Sequence, residues 1–184
     1  MIEEMLYNYK DGLESERLIT RLLTKADIDV WEAYYLSGGR EKYLLDFGGN
    51  TPKENARLAV ERQLRRYESK TYGLQALIEK DSGLLIGQCG LLVEELDGET
   101  QLELGYQLFN DYWGKGYATE AARMFIDYGF AVLDATSIVA IINVDNISSQ
   151  KVASRNAMKQ EKQMAYMGSQ VFVYRLVRQD WVKL

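Results

Sequence analysis

The sequence predicts a single α/β or α+β domain, a central sheet with helices packed on its faces. Three observations lead there. Hydrophobic periods alternate along the chain in the order strand, helix, helix, three strands, helix, strand, helix, two strands, which makes about seven strands and about four helices. With 184 residues, 47% of them hydrophobic, the chain can bury one sizeable core. The stretch 102–126 reads as an apolar strand, a glycine turn and an amphipathic helix, and no repeat, low-complexity tract or linker divides the rest.

Residues 1–16 are polar and irregular, and a loosely ordered lead-in is expected there. The run 17–23 is a short strand. Thr24, with Asp27 three residues on, starts a helix that places Ile28, Trp31 and Tyr35 on one face and ends at Gly38-Gly39. After a link through Tyr43 and Phe47, Thr51-Pro52-Lys53-Glu54 combines an N-cap threonine, a proline at the first helical position and a capping-box glutamate. That helix extends to Glu68. Leu58, Arg62 and Arg65 fall in different environments around it, and its many charges are expected on a solvated face rather than a binding patch.

The runs 72–79, 84–94 and 100–108 are rich in β-formers and are separated by Lys-Asp-Ser-Gly and Leu-Asp-Gly-Glu, so three antiparallel strands follow in sequence. Gly87 and Gly90 mark a bulge or a close backbone approach. Glu94, Glu95, Asp97 and Glu99 are read as a solvated hairpin rather than a lure for a cationic substrate. The helix over 117–133 buries Ala121, Met124, Phe125, Tyr128 and Val132. The apolar run 137–142 is a strand covered on both faces. A polar link, Asn143-Val144-Asp145-Asn146, leads to a helix over 148–158, and strands at 162–167 and 171–178 pair around Gly168-Ser169.

Composition removes whole classes of function. A net charge of -5 argues against nucleic acid as a partner, because phosphate neutralisation needs a basic stripe. No apolar run is long enough to span a bilayer, and the start Met-Ile-Glu-Glu lacks the basic residues of a signal peptide, so a cytoplasmic protein with no membrane partner is expected, as a monomer or homodimer. Cys89 is the lone cysteine, which rules out an intrachain disulfide and a cysteine-based zinc site; no metal is expected. With no histidine, Ser-His-Asp and Cys-His arrangements are impossible. Proton transfer falls to carboxylates, tyrosine, lysine, a hydroxyl or water.

Gly114-Lys115-Gly116 opens a helix, where unpaired amides and the helix dipole favour an anion such as a phosphorylated cofactor. Tyr117 stands where a nucleotide-triphosphate loop needs a hydroxyl, and Thr119 where a dinucleotide turn needs its third glycine. The flanking residues decide between the remaining readings. Glu103-Leu104-Gly105-Tyr106, followed by Tyr-Trp-Gly-Lys-Gly-Tyr-Ala-Thr-Glu-Ala over 112–121, resembles the acetyl-coenzyme A motif of the GNAT superfamily of N-acetyltransferases, in particular its RimJ/RimL-like branch. Trp113-Gly114-Lys115-Gly116-Tyr117-Ala118 fills that superfamily's Gln/Arg-x-x-Gly-x-Gly/Ala signature except at the first place, where Trp113 would offer only its backbone amide. Glu16-Arg17-Leu18 with Arg21-Leu22 is similar to the branch's opening strand, and Asn146-Ile147-Ser148-Ser149 to its Asn-x-x-Ser motif, so the likeness covers about 16–181. One departure is Arg155-Asn156-Ala157-Met158, where the branch commonly has Lys-x-Gly-Phe.

The resemblance implies the GNAT fold, a mixed and mostly antiparallel sheet, and direct transfer of the acetyl group of acetyl-CoA, as cosubstrate, to a primary amine on a small molecule or a peptide. It implies that backbone amides of Trp113, Gly114, Lys115, Gly116, Tyr117, Ala118 and Thr119 hold the pyrophosphate. It likewise implies that Tyr106, Gln107 and Leu108 pair with the pantetheine arm, in a gap between their strand and the strand 137–142. Asn146 caps its helix and touches that arm; Lys115 either adds charge to the phosphates or is solvated. Glu103 is the candidate base, against the alternative of a half-exposed strand carboxylate, and Ser149 the candidate acid, with Tyr166 as the alternative acid. Cys89 has no neighbour in sequence that would activate it as a nucleophile. A non-catalytic acyl-CoA sensor on the same fold, or transfer of another acyl group, are the competing functions.

Overall fold

The expected strands join into one seven-stranded sheet in the order β1-β2-β3-β4-β5-β7-β6 in the computed structural model, which describes residues 9–36, 43 and 48–181. The strands are β1 Leu18–Arg21, β2 Tyr72–Glu79, β3 Leu85–Leu96, β4 Glu99–Leu108, β5 Ser137–Asn143, β6 Lys159–Tyr166 and β7 Ser169–Val177. Every neighbouring pair is antiparallel except β4 with β5. Among the described residues four α-helices flank the sheet: α1 Ile28–Leu36, α2 Pro52–Glu68, α3 Tyr117–Ala131 and α4 Ile147–Arg155. Gly38, Gly39 and Phe47 lie outside the described residues. Among the described residues, no helix is long and apolar enough to cross a membrane.

Local chemistry explains the helix starts. The chain enters α1 through a 3-10 turn, Lys25–Asp27, in which the Thr24 amide donates to Asp27 Oδ2 at 2.8 Å. At α2, Thr51 Oγ1 accepts from the Glu54 amide at 3.2 Å. Glu54 Oε2 reaches back past the N-cap to the Asn50 amide, at 2.9 Å, so the box closes one residue earlier than the sequence pattern implies. In α3, Phe125 and Ile126 are fully buried, and a Cβ on Gly129 would stand 2.8 Å from Ile138 Cδ1, so this glycine lets the helix lie close on β5. Val132, expected in the buried stripe, is 48% exposed because the helix has ended at Ala131.

The core has two main sides. Leu91, Leu104, Phe125, Ile126, Ile138 and Val152 pack under α3 and α4; Trp31, Tyr34, Ala56, Val60 and Ala76 pack under α1 and α2. A smaller cluster, Leu96, Val139 and Val173, lies on the second side nearer β6. Between Leu77 and Ile78 the β2–β3 register shifts opposite Gly87, whose backbone is so close to β4 that a Cβ would meet Gln107 O at 2.3 Å.

Several expectations need correction. The lead-in is tied down over its described residues: the Tyr9 phenol donates to Gly73 O at 2.6 Å and accepts from Leu91 N at 3.1 Å, bridging two residues that face each other across β2 and β3. Its ring stacks on Tyr72. The charges of α2 are not all solvated, since Arg66 turns onto the sheet and pairs with Glu94, whose side chain is 16% exposed. Glu94 therefore leaves the solvated hairpin, while Asp97 stays at its tip and pairs with Lys162. Finally α4 stops at Arg155 and β6 begins at Lys159, because Ala157 takes a left-handed conformation, φ +60°, and turns the chain.

Candidate active site

The two parallel strands share a single paired position, Glu103 with Val139. Beyond it β4 and β5 form no further pair among the described residues, and a cavity of about 530 Å³ opens between them. Its walls are 103–108 of β4 and 140–143 of β5, its floor is the glycine turn and first residues of α3, and α4 closes the side. Such an opening leaves strand amides and carbonyls for a ligand to satisfy.

Glu103 sits at the fork. It lines the cavity, and protein atoms surround its carboxyl group. Burial, reinforced by the Glu94 charge, pushes its pKa up to about 8, against the opposing pull of Arg66, a hydrogen bond from the Ile141 amide and Arg62.

Across the cavity, Asn146 Oδ1 caps α4 by accepting from the Ser149 amide at 3.2 Å. The Tyr106 phenol donates to Ser149 O at 2.9 Å, and burial raises its pKa far above the usual tyrosine range. The same bond thus joins β4 to α4 at the wall that Ser149 lines.

The glycine turn is built for open amides. Gly114 and Gly116 are both left-handed, at φ +74° and +87°, and Gly116 is the N-cap of α3 with no side chain to cap the helix. A Cβ at Gly114 would meet nothing within 4 Å. Arg17, just before β1, and α3 hold the turn from behind: Arg17 Nη1 donates to Lys115 O at 3.0 Å, Arg17 Nε to Glu120 Oε2 at 2.7 Å, and the guanidinium lies 4.2 Å over the Tyr117 ring. Trp113 departs from expectation. Its amide donates to Asn110 O at 3.1 Å and is already engaged, while its indole donates to Leu108 O at 2.9 Å and fixes the turn to the end of β4.

The cavity brings together Glu103, Tyr106, Gln107, Leu108, Trp113, Gly114, Gly116, Tyr117, Ala118, Thr119, Asn146 and Ser149. Lys115 is not in its wall; the ammonium stands 5.4 Å from the Tyr112 ring centre. Tyr166 is outside it too, at the end of β6, with its phenol pKa raised by burial and then by the charges of Glu94 and Glu103. Cys89 is fully buried and burial raises its thiol well above the ordinary range, so it offers no thiolate. Gln107 accepts from Gln88 Nε2 at 3.0 Å, and its own Nε2 is buried without a protein partner. Sequence reasoning missed Arg62, Arg66 and Glu94 around Glu103, and Tyr34 and Tyr43 in the wall, where Tyr43 donates to Asp145 O at 3.0 Å. The aromatic residues carried a usable signal, since Tyr35 and its neighbours lie on the face of α1 turned inward.

A forked parallel junction beside a glycine-capped helix start can receive a long, anionic ligand. Residues 17–159 match the family model described as Acetyltransferase (GNAT) domain, and the chain belongs to that family: it is an acetyltransferase of the GNAT fold. It is 30% identical over 169 residues to YkkB of Bacillus subtilis (strain 168), covering 91% of this chain and 96% of that one. It is also 30% identical over 160 residues to the N-acetyltransferase p20 of Bacillus licheniformis, covering 82% and 84%. The fold is similar to Mycobacterium smegmatis RimJ, solved in complex with CoA-disulfide, with a TM-score of 0.74, 15% identity and coverage of 90% of this chain and 84% of that one.

Proposed function

We propose that this protein transfers the acetyl group of acetyl-CoA directly to a primary amine, with an α-amino group as the preferred acceptor. One observation carries the reading: Glu103 at the β4–β5 fork and Ser149 line one cavity that ends on the open amides of a glycine turn. The orphaned Gln107 Nε2 and the uncapped start of α3 are donors that suit a long, phosphorylated ligand.

Acetyl-CoA supplies an acetyl group already activated as a thioester. Gly114, Gly116, Tyr117, Ala118 and Thr119 present the backbone amides for the pyrophosphate, with Lys115 adding only peripheral charge. Tyr106, Gln107 and Leu108 line the pantetheine arm, which Asn146 touches from α4. Glu103 takes, through water, the proton that the amine loses as its nitrogen bonds to the acetyl carbon. Ser149 gives its proton to the sulfur as the carbon–sulfur bond breaks and regains one through water from the proton that Glu103 took up; Tyr166, outside the wall, is the less suitable acid.

The acceptor preference follows from the amount of free amine: an α-amino group with a pKa of about 7.7–8.0 is largely neutral at mildly alkaline pH, whereas a lysine-like amine at about 10.4 is still almost wholly protonated there. The test is an acceptor panel with acetyl-CoA, containing ribosomal-protein N-terminal peptides, polyamines and aminoglycosides, read by mass spectrometry of the products. Acetylated peptide α-amines are the expected product. Acetylation of polyamines alone would overturn the acceptor class, and acetylation of nothing would leave a sensor.

A further inference from the structure

Helix α2 places two arginines over the sheet beside Glu103. Arg66 Nη2 pairs with Glu94 Oε1, and Arg62 Nη2 stands 3.9 Å from the same oxygen. The Arg66 and Glu94 side chains are 13% and 16% exposed, so water screens this pair poorly and its field reaches further than a surface pair's would. In the β3–β4 register Leu92 faces Glu103 and Glu94 faces Gln101. Glu94 and Glu103 thus project from the same face of the sheet as diagonal neighbours, about 7–8 Å apart by ordinary strand geometry.

Other charged or titratable groups approach this face: Tyr34 and Tyr43 line the same cavity as Glu103, and Lys162 of β6 pairs with Asp97. Tyr166 of β6 interacts with Glu94, Glu103, Arg62 and Arg66. Arg175 of β7, paired across from Val139, is engaged by Glu161 at 2.9 Å and by Gln101 and Ser137, each at 2.9 Å. The counterweights that act on Glu103 are therefore the anion Glu94 on one side and the cations Arg66 and Arg62 on the other.

We infer that Glu94 and Arg66 are positioning residues that set the strength of Glu103 as a base, Glu94 strengthening it and Arg66 holding it in check. Neither touches the cavity. The role presumes that Glu103 is the base. Were Glu94 neutral, Glu103 would lose the repulsion of its diagonal neighbour and hold a proton less tightly. Were Arg66 neutral, Glu94 would act on Glu103 with less compensation, and Glu103 would stay protonated to higher pH.

The test is a titration of the Glu103 carboxyl carbon by 13C NMR in the full chain, with kcat/KM measured over the same pH range. Glu94→Gln should lower the Glu103 midpoint by about one pH unit and Arg66→Met should raise it by a similar amount, with the acid limb of kcat/KM moving in step. Arg62→Met should act in the same direction as Arg66→Met and serves if the latter fails to fold. Glu94→Asp, which keeps the charge, should titrate close to the unaltered protein. Midpoints that stay put, or that move the same way in the Glu94 and Arg66 variants, overturn the inference. Opposite midpoint shifts with an unmoved kcat/KM profile would uphold the electrostatic role and remove Glu103 as the base.

Discussion

Glu103 and Val139 form the single pair that joins β4 to β5 among the described residues, and the cavity begins immediately beyond it. The same residue therefore closes the sheet and opens the site. The cost of that placement is a carboxyl group taken out of water, which is why its pKa rises from the ordinary 4.5 to about 8. If it is the base, Glu103→Gln should depress turnover and shift its pH dependence to higher pH, where the amine has lost its proton unaided. An unchanged profile would take Glu103 out of the mechanism.

The raised pKa also has a sign in stability. Below about pH 4.5 both folded and unfolded chains hold the proton; between there and about pH 8 only the folded chain does, so this contribution to stability is lost progressively as pH rises through that window. Glu103→Gln imitates the protonated form. It should melt close to the unaltered protein at acid pH and be more stable by about 1–3 kcal/mol on the alkaline side of the window, checked by thermal unfolding at both ends.

Gly116 has φ +87°, and Arg17 Nη2 would stand 3.4 Å from a Cβ placed there. Gly116→Trp should fill the space in front of the first amides of α3 and abolish measurable coenzyme A affinity by calorimetry. Unchanged affinity would move the pyrophosphate site elsewhere.

Ala157 holds a left-handed conformation at φ +60° in the place where the resembling branch commonly has glycine. An alanine is strained there by about 1 kcal/mol relative to glycine. Ala157→Gly should accordingly raise stability by a similar amount in denaturant unfolding, less the entropy glycine gains in the unfolded chain.

Tyr9 supplies one hydroxyl to two backbone groups, Gly73 O and Leu91 N. Tyr9→Phe keeps the stacked ring but leaves both groups short of a partner, which should cost about 1–3 kcal/mol in unfolding free energy.

Local chemistry made much of this legible in the sequence. Thr51-Pro52 marks the start of α2, Asn146 is the cap of α4, and the two glycines at 114 and 116 are left-handed as a turn of this kind requires. What stayed hidden depends on residues distant in sequence. Arg66 and Glu94 are 28 residues apart, and nothing in a charged helix or an acidic hairpin says that one charge of each turns inward. Tyr9 lies in an irregular, largely polar stretch, with partners 64 and 82 residues away. Trp113 was legible as a departure from the motif, but its indole bond to Leu108 O became visible only once β4 and the turn were placed together.

Direct transfer within the β4–β5 cavity is tested most directly by thiol release from acetyl-CoA, followed with and without an α-amine peptide acceptor. One thiol per acetylated amine, no release without the acceptor and an unmodified Cys89 is the result expected. Coenzyme A binding with no release for any amine would contradict catalysis, and a burst of thiol without acceptor would contradict direct transfer.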